Sequence, residues 1–190
     1  QKLDQLSDGA AHQGVGALVA AQRYWDLEDV LSRAEERGEA PFLVALDEVE
    51  DPHNLGSVLR TADAAGVHGV IIPKRRSAGL TATVAKTSAG AVEYVPVVRV
   101  TNLVRTLKLL KERGLWVTGA EASANESYSE VDFTVPTVLV VGSEGKGISR
   151  LIRENCDFLV HLPMRGHVNS LNASVAAALL MYEVLRKRGG

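Results

Sequence analysis

From Pro41 onward, short apolar runs alternate with stretches whose apolar residues recur every three or four positions. That rhythm belongs to β-α-β units laid on a mostly parallel sheet, an α/β fold with flanking helices. The runs predict strands at Phe42–Leu46, Gly69–Ile72, Tyr94–Val98, Leu115–Thr118, Thr137–Val141 and Leu159–Leu162. Rich in Val, Ile and Leu and without polar alternation, they should be covered on both faces. Helices are expected at Leu55–Ala65, Leu80–Ser88, Leu103–Arg113, Ile148–Asn155 and from about Leu171 to Arg188. Leu55, Val58, Leu59 and Ala62 share one face of the first of these, which sends Arg60 to the opposite side. The last carries Ala173 and an unbroken apolar run from Val175 to Met181, so its first half is expected to be buried all round, in the core or at a subunit interface.

Residues 1–40 read differently. Ser7 to Gly14 has the composition of a loop, and Trp25 to Arg37 that of a short charged helix. The expected division is therefore a lead-in over 1–40 and one α/β domain over 41–190.

With 46% hydrophobic and 23% charged residues in 190, the composition excludes a disordered or fibrous chain. No apolar run approaches the roughly 20 residues needed to cross a bilayer, and Gln1-Lys2-Leu3-Asp4 does not open a signal peptide, so a cytoplasmic location is expected. Because the chain begins without Met, a missing N-terminal part is expected too. Cys156 has no second cysteine to pair with and, beside Arg153, Glu154 and Asp157, reads as a small core or helix-end residue. A net charge of −2 gives the whole molecule no attraction for phosphate backbones, so any RNA binding must be local.

Three segments place polar residues where a core would not. In Asp51-Pro52-His53-Asn54-Leu55-Gly56-Ser57-Val58-Leu59-Arg60, a strand end turns into a helix for which Asn54 is the expected N-cap. Free amides there, with Arg60, suit a phosphate or ribose, although a capped helix with a solvated arginine explains the segment alone. Gly142-Ser143-Glu144-Gly145-Lys146-Gly147 follows a strand and precedes a helix, the place where open α/β sheets bind ligands. It is neither a Walker A loop nor a complete dinucleotide fingerprint. In Leu162-Pro163-Met164-Arg165-Gly166-His167-Val168-Asn169-Ser170-Leu171-Asn172-Ala173-Ser174, the polar residues exceed what one helix cap requires.

Taken in this order, the three segments resemble the motifs of the SpoU-type branch of the SPOUT superfamily, over roughly Pro41 to Arg188, and most of all the bacterial 23S rRNA guanosine 2′-O-methyltransferases. The resemblance implies transfer of a methyl group from S-adenosylmethionine to a ribose 2′-oxygen of RNA, a C-terminal trefoil knot and a homodimer. It makes Gly9 to Gly14 the end of an N-terminal RNA-binding domain. Carried over by position, it assigns Gly142, Leu162 and Leu171 to the donor, with Met164, Thr118 and Gly119 as further candidates. Asn54, Arg60, Glu144, Ser170 and Asn172 fall to the RNA and catalytic side, and no metal is called for.

The reaction aligns three atoms and removes one proton. Deprotonating any guanidinium, from above about 12 to function near pH 7, costs roughly 7 kcal/mol at about 1.36 kcal/mol per unit. Arg60 is therefore expected to grip the neighbouring phosphate and the developing alkoxide rather than act as a free base. Lys74, Arg75 and Arg76 form the local basic patch for RNA, with Lys86 and Arg99 as extensions; a charge run is otherwise a solvated loop. The competing readings are a tRNA ribose methyltransferase of the same family, a non-catalytic RNA-binding factor on the same fold and, more remotely, a nicotinamide-dependent oxidoreductase.

Overall fold

The computed structural model describes residues 23–190. Its elements run α1 (Leu27–Glu36), β1 (Phe42–Asp47), α2 (Pro52–Ala64), β2 (Gly69–Pro73), α3 (Ala82–Thr87), a 3-10 turn (Ala91–Glu93), β3 (Val97–Val100) and α4 (Leu103–Glu112). Then follow β4 (Trp116–Ala120), β5 (Glu126–Ser127), β6 (Thr137–Gly142), α5 (Arg150–Arg153), β7 (Phe158–His161) and α6 (Ala173–Lys187). The sheet has the order β3-β2-β1-β6-β4-β7-β5, with every pairing parallel. All strands therefore point the same way, and the loops that follow them gather along one edge.

Successive residues of a strand face opposite sides of the sheet, and two cores form accordingly. Phe42, Val44 and Leu46 of β1, with Leu139 and Val141 of β6, pack against Leu55, Val58, Leu59 and Ala62 of α2 and Ala177, Leu180, Met181 and Val184 of α6. Leu43 and Ala45, with Val138 and Val140, pack on the other side against Val30 and Leu31 of α1, Leu103, Leu107 and Leu110 of α4, and Ile152 of α5. The charged helix expected near Trp25–Arg37 is thus α1, one of the three helices on that face, and Trp25 makes a parallel bridge to Val98. The loop reading at Ser7 to Gly14, with the domain remnant assigned there, lies outside the described residues.

Several expectations are corrected. Tyr94 caps the 3-10 turn and is 73% exposed, and the third strand starts only at Val97, after a proline that cannot donate to the ladder. The helix expected over Ile148–Asn155 is one turn, Arg150–Arg153. The two-residue strand β5 has no apolar run to announce it. Asn54 is not the cap of α2; Asp51 is, its carboxylate accepting from the His53 amide at 2.8 Å. Nor is α6 buried all round, because Val175, Leu179 and Tyr182 are 47%, 45% and 52% exposed. Among the described residues no helix is long and apolar enough to cross a membrane. The Cys156 thiol is pushed up to about 12, first by burial and then by Asp157, and donates to the Ile152 carbonyl.

His68 fastens the starts of β1 and β2. Its Nδ1 accepts from the Phe42 amide at 3.0 Å, so Nε2 must carry the proton shared with Glu39 at 2.8 Å. Burial holds the ring below its usual value of 6.5, against the pull of Glu39. The neutral ring is the folded form, so its contribution is complete above about pH 6.5 and is lost as pH falls through that value toward the lower folded one. Urea midpoints between pH 7.5 and 5.5 should fall more for the wild type than for His68→Gln, whose amide keeps both bonds without titrating. Equal falls would remove His68 as the cause.

Candidate functional site

The loops after β1, β6, β4 and β7 meet at the edge where an open parallel sheet offers a crevice. Two cavities open there. The first, of about 270 Å³, is lined by Ala120 after β4, Gly142 and Glu144 after β6, and Leu162, Ser170 and Leu171 after β7. The second, of about 290 Å³, lies toward β1, between Glu48, Glu50, Asp51 and Asn54. Ser143, Glu144, Lys146 and Ala173 line both.

Close backbone packing shapes the loop between them. A Cβ on Gly142 would sit 2.0 Å from the Gly147 carbonyl carbon and 2.3 Å from the Ile148 nitrogen, so the loop folds back onto a residue that can carry no side chain. The Gly147 amide donates to the Ser143 carbonyl at 2.9 Å, and its φ of 66° lies in the left-handed region. Asp47, buried at the end of β1, accepts from the Ser149 amide at 2.7 Å and ties the far end of the loop to the sheet.

Three predicted residues, far apart in sequence, meet on the shared wall. Asn172 is the N-cap of α6, its Oδ1 accepting from the amides of Ser174 at 2.9 Å and Val175 at 3.3 Å. With the oxygen committed to the helix, its Nδ2 must point away, and it donates to Asn54 Oδ1 at 2.9 Å and to Glu144 Oε1. Asn54 then has only its amide nitrogen left for Glu144, at 3.2 Å. The helix cap thus settles the orientation of both amides, and Glu144 receives two donors on one oxygen.

Ser170, Leu162, Met164 and Leu171 line the first cavity, with Gly142. Thr118 and Gly119 do not. Thr118 is 1% exposed, and a Cβ on Gly119 would meet Cys156 and Ile148, so both are interior and the wall on this strand starts at Ala120. Arg60 is exposed on α2, lines neither cavity and has no hydrogen-bond or ion-pair partner among the described residues. Lys74, Arg75 and Arg76 follow β2 as an exposed turn, but Arg76 is bound to Glu48 at 2.7 Å, both residues having a φ of 55°. Arg99 donates to the Lys74 carbonyl at 3.2 Å and lies over the Tyr24 ring.

Sequence reading missed Asp47, Glu121 and Lys146. Glu121 lines the first cavity with Oε2 2.9 Å from Arg153, a contact of charges without hydrogen-bond alignment, since that oxygen is buried and otherwise unpartnered. The signal for all three was position, one to five residues past the end of an expected strand, rather than residue type.

Gly142→Ala should cost about 3 kcal/mol or more in denaturant unfolding, because the intruding methyl meets backbone. Asn172→Ala should cost about 1 kcal/mol, the value of a cap. Asn172→Asp keeps the cap but sets a carboxylate against Glu144. The repulsion raises carboxyl values in the fold, so its deficit relative to wild type should shrink as pH falls from 7 toward 5. A pH-independent deficit would mean that the two side chains do not meet.

Residues 41–182 match the SpoU rRNA Methylase family. A Bacillus subtilis protein described as a putative TrmH family tRNA/rRNA methyltransferase is 62% identical over 99% of this chain and 75% of its own length. A Staphylococcus saprophyticus protein of the same description is 55% identical over 98% of this chain and 75% of its own length. Among solved structures, the SpoU methyltransferase AviRb of Streptomyces viridochromogenes in complex with AdoMet superposes with a TM-score of 0.78 at 31% identity, over 87% of this chain and 66% of that one. An AdoMet-bound rRNA methyltransferase from Sinorhizobium meliloti gives 0.77 at 28% identity, over 87% of this chain and 61% of that one. The chain belongs to the SpoU rRNA Methylase family and is an RNA methyltransferase that takes its methyl group from S-adenosylmethionine.

Proposed function

We propose that the methyl group goes to a ribose 2′-hydroxyl, that of a guanosine in 23S rRNA, with the donor in the first cavity and the acceptor entering the second. The observation that carries this reading is the Asn54–Glu144–Asn172 network, which stands on the wall both cavities share. The first cavity suits the donor: Val141, Leu162 and Leu171 offer apolar surface to a flat base, and the bare backbone at Gly142 admits close hydrogen bonding to its edge. Glu121 and Glu144 give a carboxylate lining that favours a cation. Bound there, S-adenosylmethionine supplies a methyl group already activated by its sulfonium.

The work left to the chain is to align the hydroxyl and ease the loss of its proton. The new O–C bond forms as the C–S bond breaks, its electron pair stays on sulfur, and the hydroxyl proton leaves to an RNA phosphate or to water. Asn54 and Asn172 hold Glu144 fixed, and Ser170, on the loop entering α6, shapes the passage between the cavities.

Arg60 joins this chemistry from a second copy of the chain. Val175, Leu179 and Tyr182 form an exposed apolar stripe on α6, just past the Asn172 cap, and burying it in a homodimer brings a partner to the mouth of the site. Lys74 and Arg75 extend the RNA contact along the backbone. The domain boundary near residue 40 and the trefoil knot belong to the same reading. The knot is supported by the way the loops after β4, β6 and β7, strands that are neighbours in the sheet, surround one cavity. A tRNA substrate is the second reading. It is favoured by the A. aeolicus TrmH/SpoU tRNA modifying enzyme, which superposes with a TM-score of 0.71 at 34% identity over 85% of this chain.

Labelled methyl from S-adenosylmethionine should enter unmodified 23S rRNA and map to a single ribose. Entry into tRNA instead would select the second reading, and entry into neither would end both. Arg60→Ala should lower turnover by about 10²- to 10³-fold, and Arg60→Lys should not restore it. Near-normal turnover of Arg60→Lys with a lowered pH optimum would make this residue a base. Leu179→Asp should give a monomer in sedimentation, with transfer lost.

A further inference from the structure

The two cavities contain five carboxylates between them and, among the described residues, one cation. Four of the carboxylates already have donors within the chain: Glu144 from Asn54 and Asn172, Asp51 from the His53 amide, Glu48 from Arg76, and Glu121 from the Ser123 hydroxyl. Lys146 is different. It lines both cavities, is exposed, and has no hydrogen-bond or ion-pair partner among the described residues, whereas the remaining carboxylate, Glu50, lines only the second cavity. Lys146 follows Gly145 and precedes Gly147, both at positive φ, in the loop closed by the Ser143–Gly147 bridge. Its backbone is held while its side chain is free.

We infer that Lys146 is a positioning residue for the acceptor: from the wall shared by the two cavities it holds the RNA phosphate next to the reacting ribose. This rests on the proposed ribose methylation. With the donor in the first cavity and the acceptor in the second, the transferred methyl, not the donor's carboxylate, would have to face the wall between them, so the anion that reaches Lys146 there is the acceptor's. A lysine beside a sulfonium would weaken donor binding unless an incoming negative charge offset it, and a phosphate provides that charge. Lining both cavities, the same cation also favours the developing alkoxide. Arg60, on the exposed face of α2 outside both cavities, cannot fill this place within one chain.

The test compares the wild type, Lys146→Gln and Lys146→Arg in two titrations. One uses S-adenosylhomocysteine in a calorimeter; the other uses, at several salt concentrations, a short unmodified transcript carrying the target ribose. Lys146→Gln should bind S-adenosylhomocysteine within about twofold of wild type, yet bind the transcript about tenfold more weakly at low salt. It should also raise KM for RNA more than it lowers kcat. The slope of log affinity against log salt should fall by roughly 0.7 to 0.9, the signature of one lost phosphate contact. Lys146→Arg should restore both affinity and slope. A tenfold loss of S-adenosylhomocysteine affinity with RNA binding unchanged would assign Lys146 to the donor and overturn the inference, as would an unmoved slope. If the wild type itself bound no RNA, the proposed function would fall together with it, whereas normal wild-type binding with an unmoved slope in Lys146→Gln overturns this inference alone.

Discussion

One amide group, the side chain of Asn172, carries constraints in two directions. Its oxygen satisfies backbone donors at the start of α6, which have no carbonyl four residues earlier to bond to. Its nitrogen is thereby turned toward Asn54 and Glu144. Asn54 lies inside α2, 8% exposed, and α2 packs along α6 through Leu55, Val58 and Ala177. The bonds among these side chains therefore join the starts of two helices to the glycine loop. A helix cap contributes only about 1 kcal/mol. Its larger consequence is geometric, since it leaves each amide in the cluster only one orientation with every group paired.

The glycine loop supplies the complementary rigidity. Gly142 and Gly147 touch through backbone, and Asp47 holds the Ser149 amide from the end of β1, the strand beside β6. Neighbouring turns carry strain: Glu48 and Arg76, both left-handed and neither a glycine, are held to each other by an ion pair. An exposed pair of this kind is worth at most about 1 kcal/mol, so the conformation is set by the strand ends it joins rather than by the pair. Strain placed beside a cavity and away from the core fits a surface shaped to meet a ligand.

Much of this was legible in the residues because the strands are buried on both faces and so read as uninterrupted apolar runs. The glycine loop and the polar run before α6 stood out because each holds residues that a core or a plain connection does not need. What stayed hidden depended on tertiary contacts. Asn54 has the chemistry of a cap, but Asp51 precedes a proline at the first helical position and takes the role, leaving Asn54 free for Glu144. The apolar run in α6 could not say that one face stays open, because Val175, Leu179 and Tyr182 differ from their buried neighbours only in angle. Gly119 and Thr118 missed the cavity by one and two residues of strand length, distances that an apolar run does not resolve.

The two halves of the site differ in what they are made of, and the chemistry gives a reason. The donor brings its own charge and reactivity, so the first cavity needs shape and backbone: Leu162, Leu171 and the bare loop at Gly142. The acceptor is a neutral hydroxyl that must lose a proton while negative charge gathers on its oxygen. Side chains of fixed orientation and cations that can meet an anion are useful there, and the second cavity is where Asn54, Glu144 and Lys146 stand. A preorganised polar wall costs little reorganisation when charge develops, whereas a flexible one would spend part of its interaction on being ordered. On the proposed reading, placing Asn172 at a helix start rather than on a loop tip is what lets a cavity open to water keep such a wall.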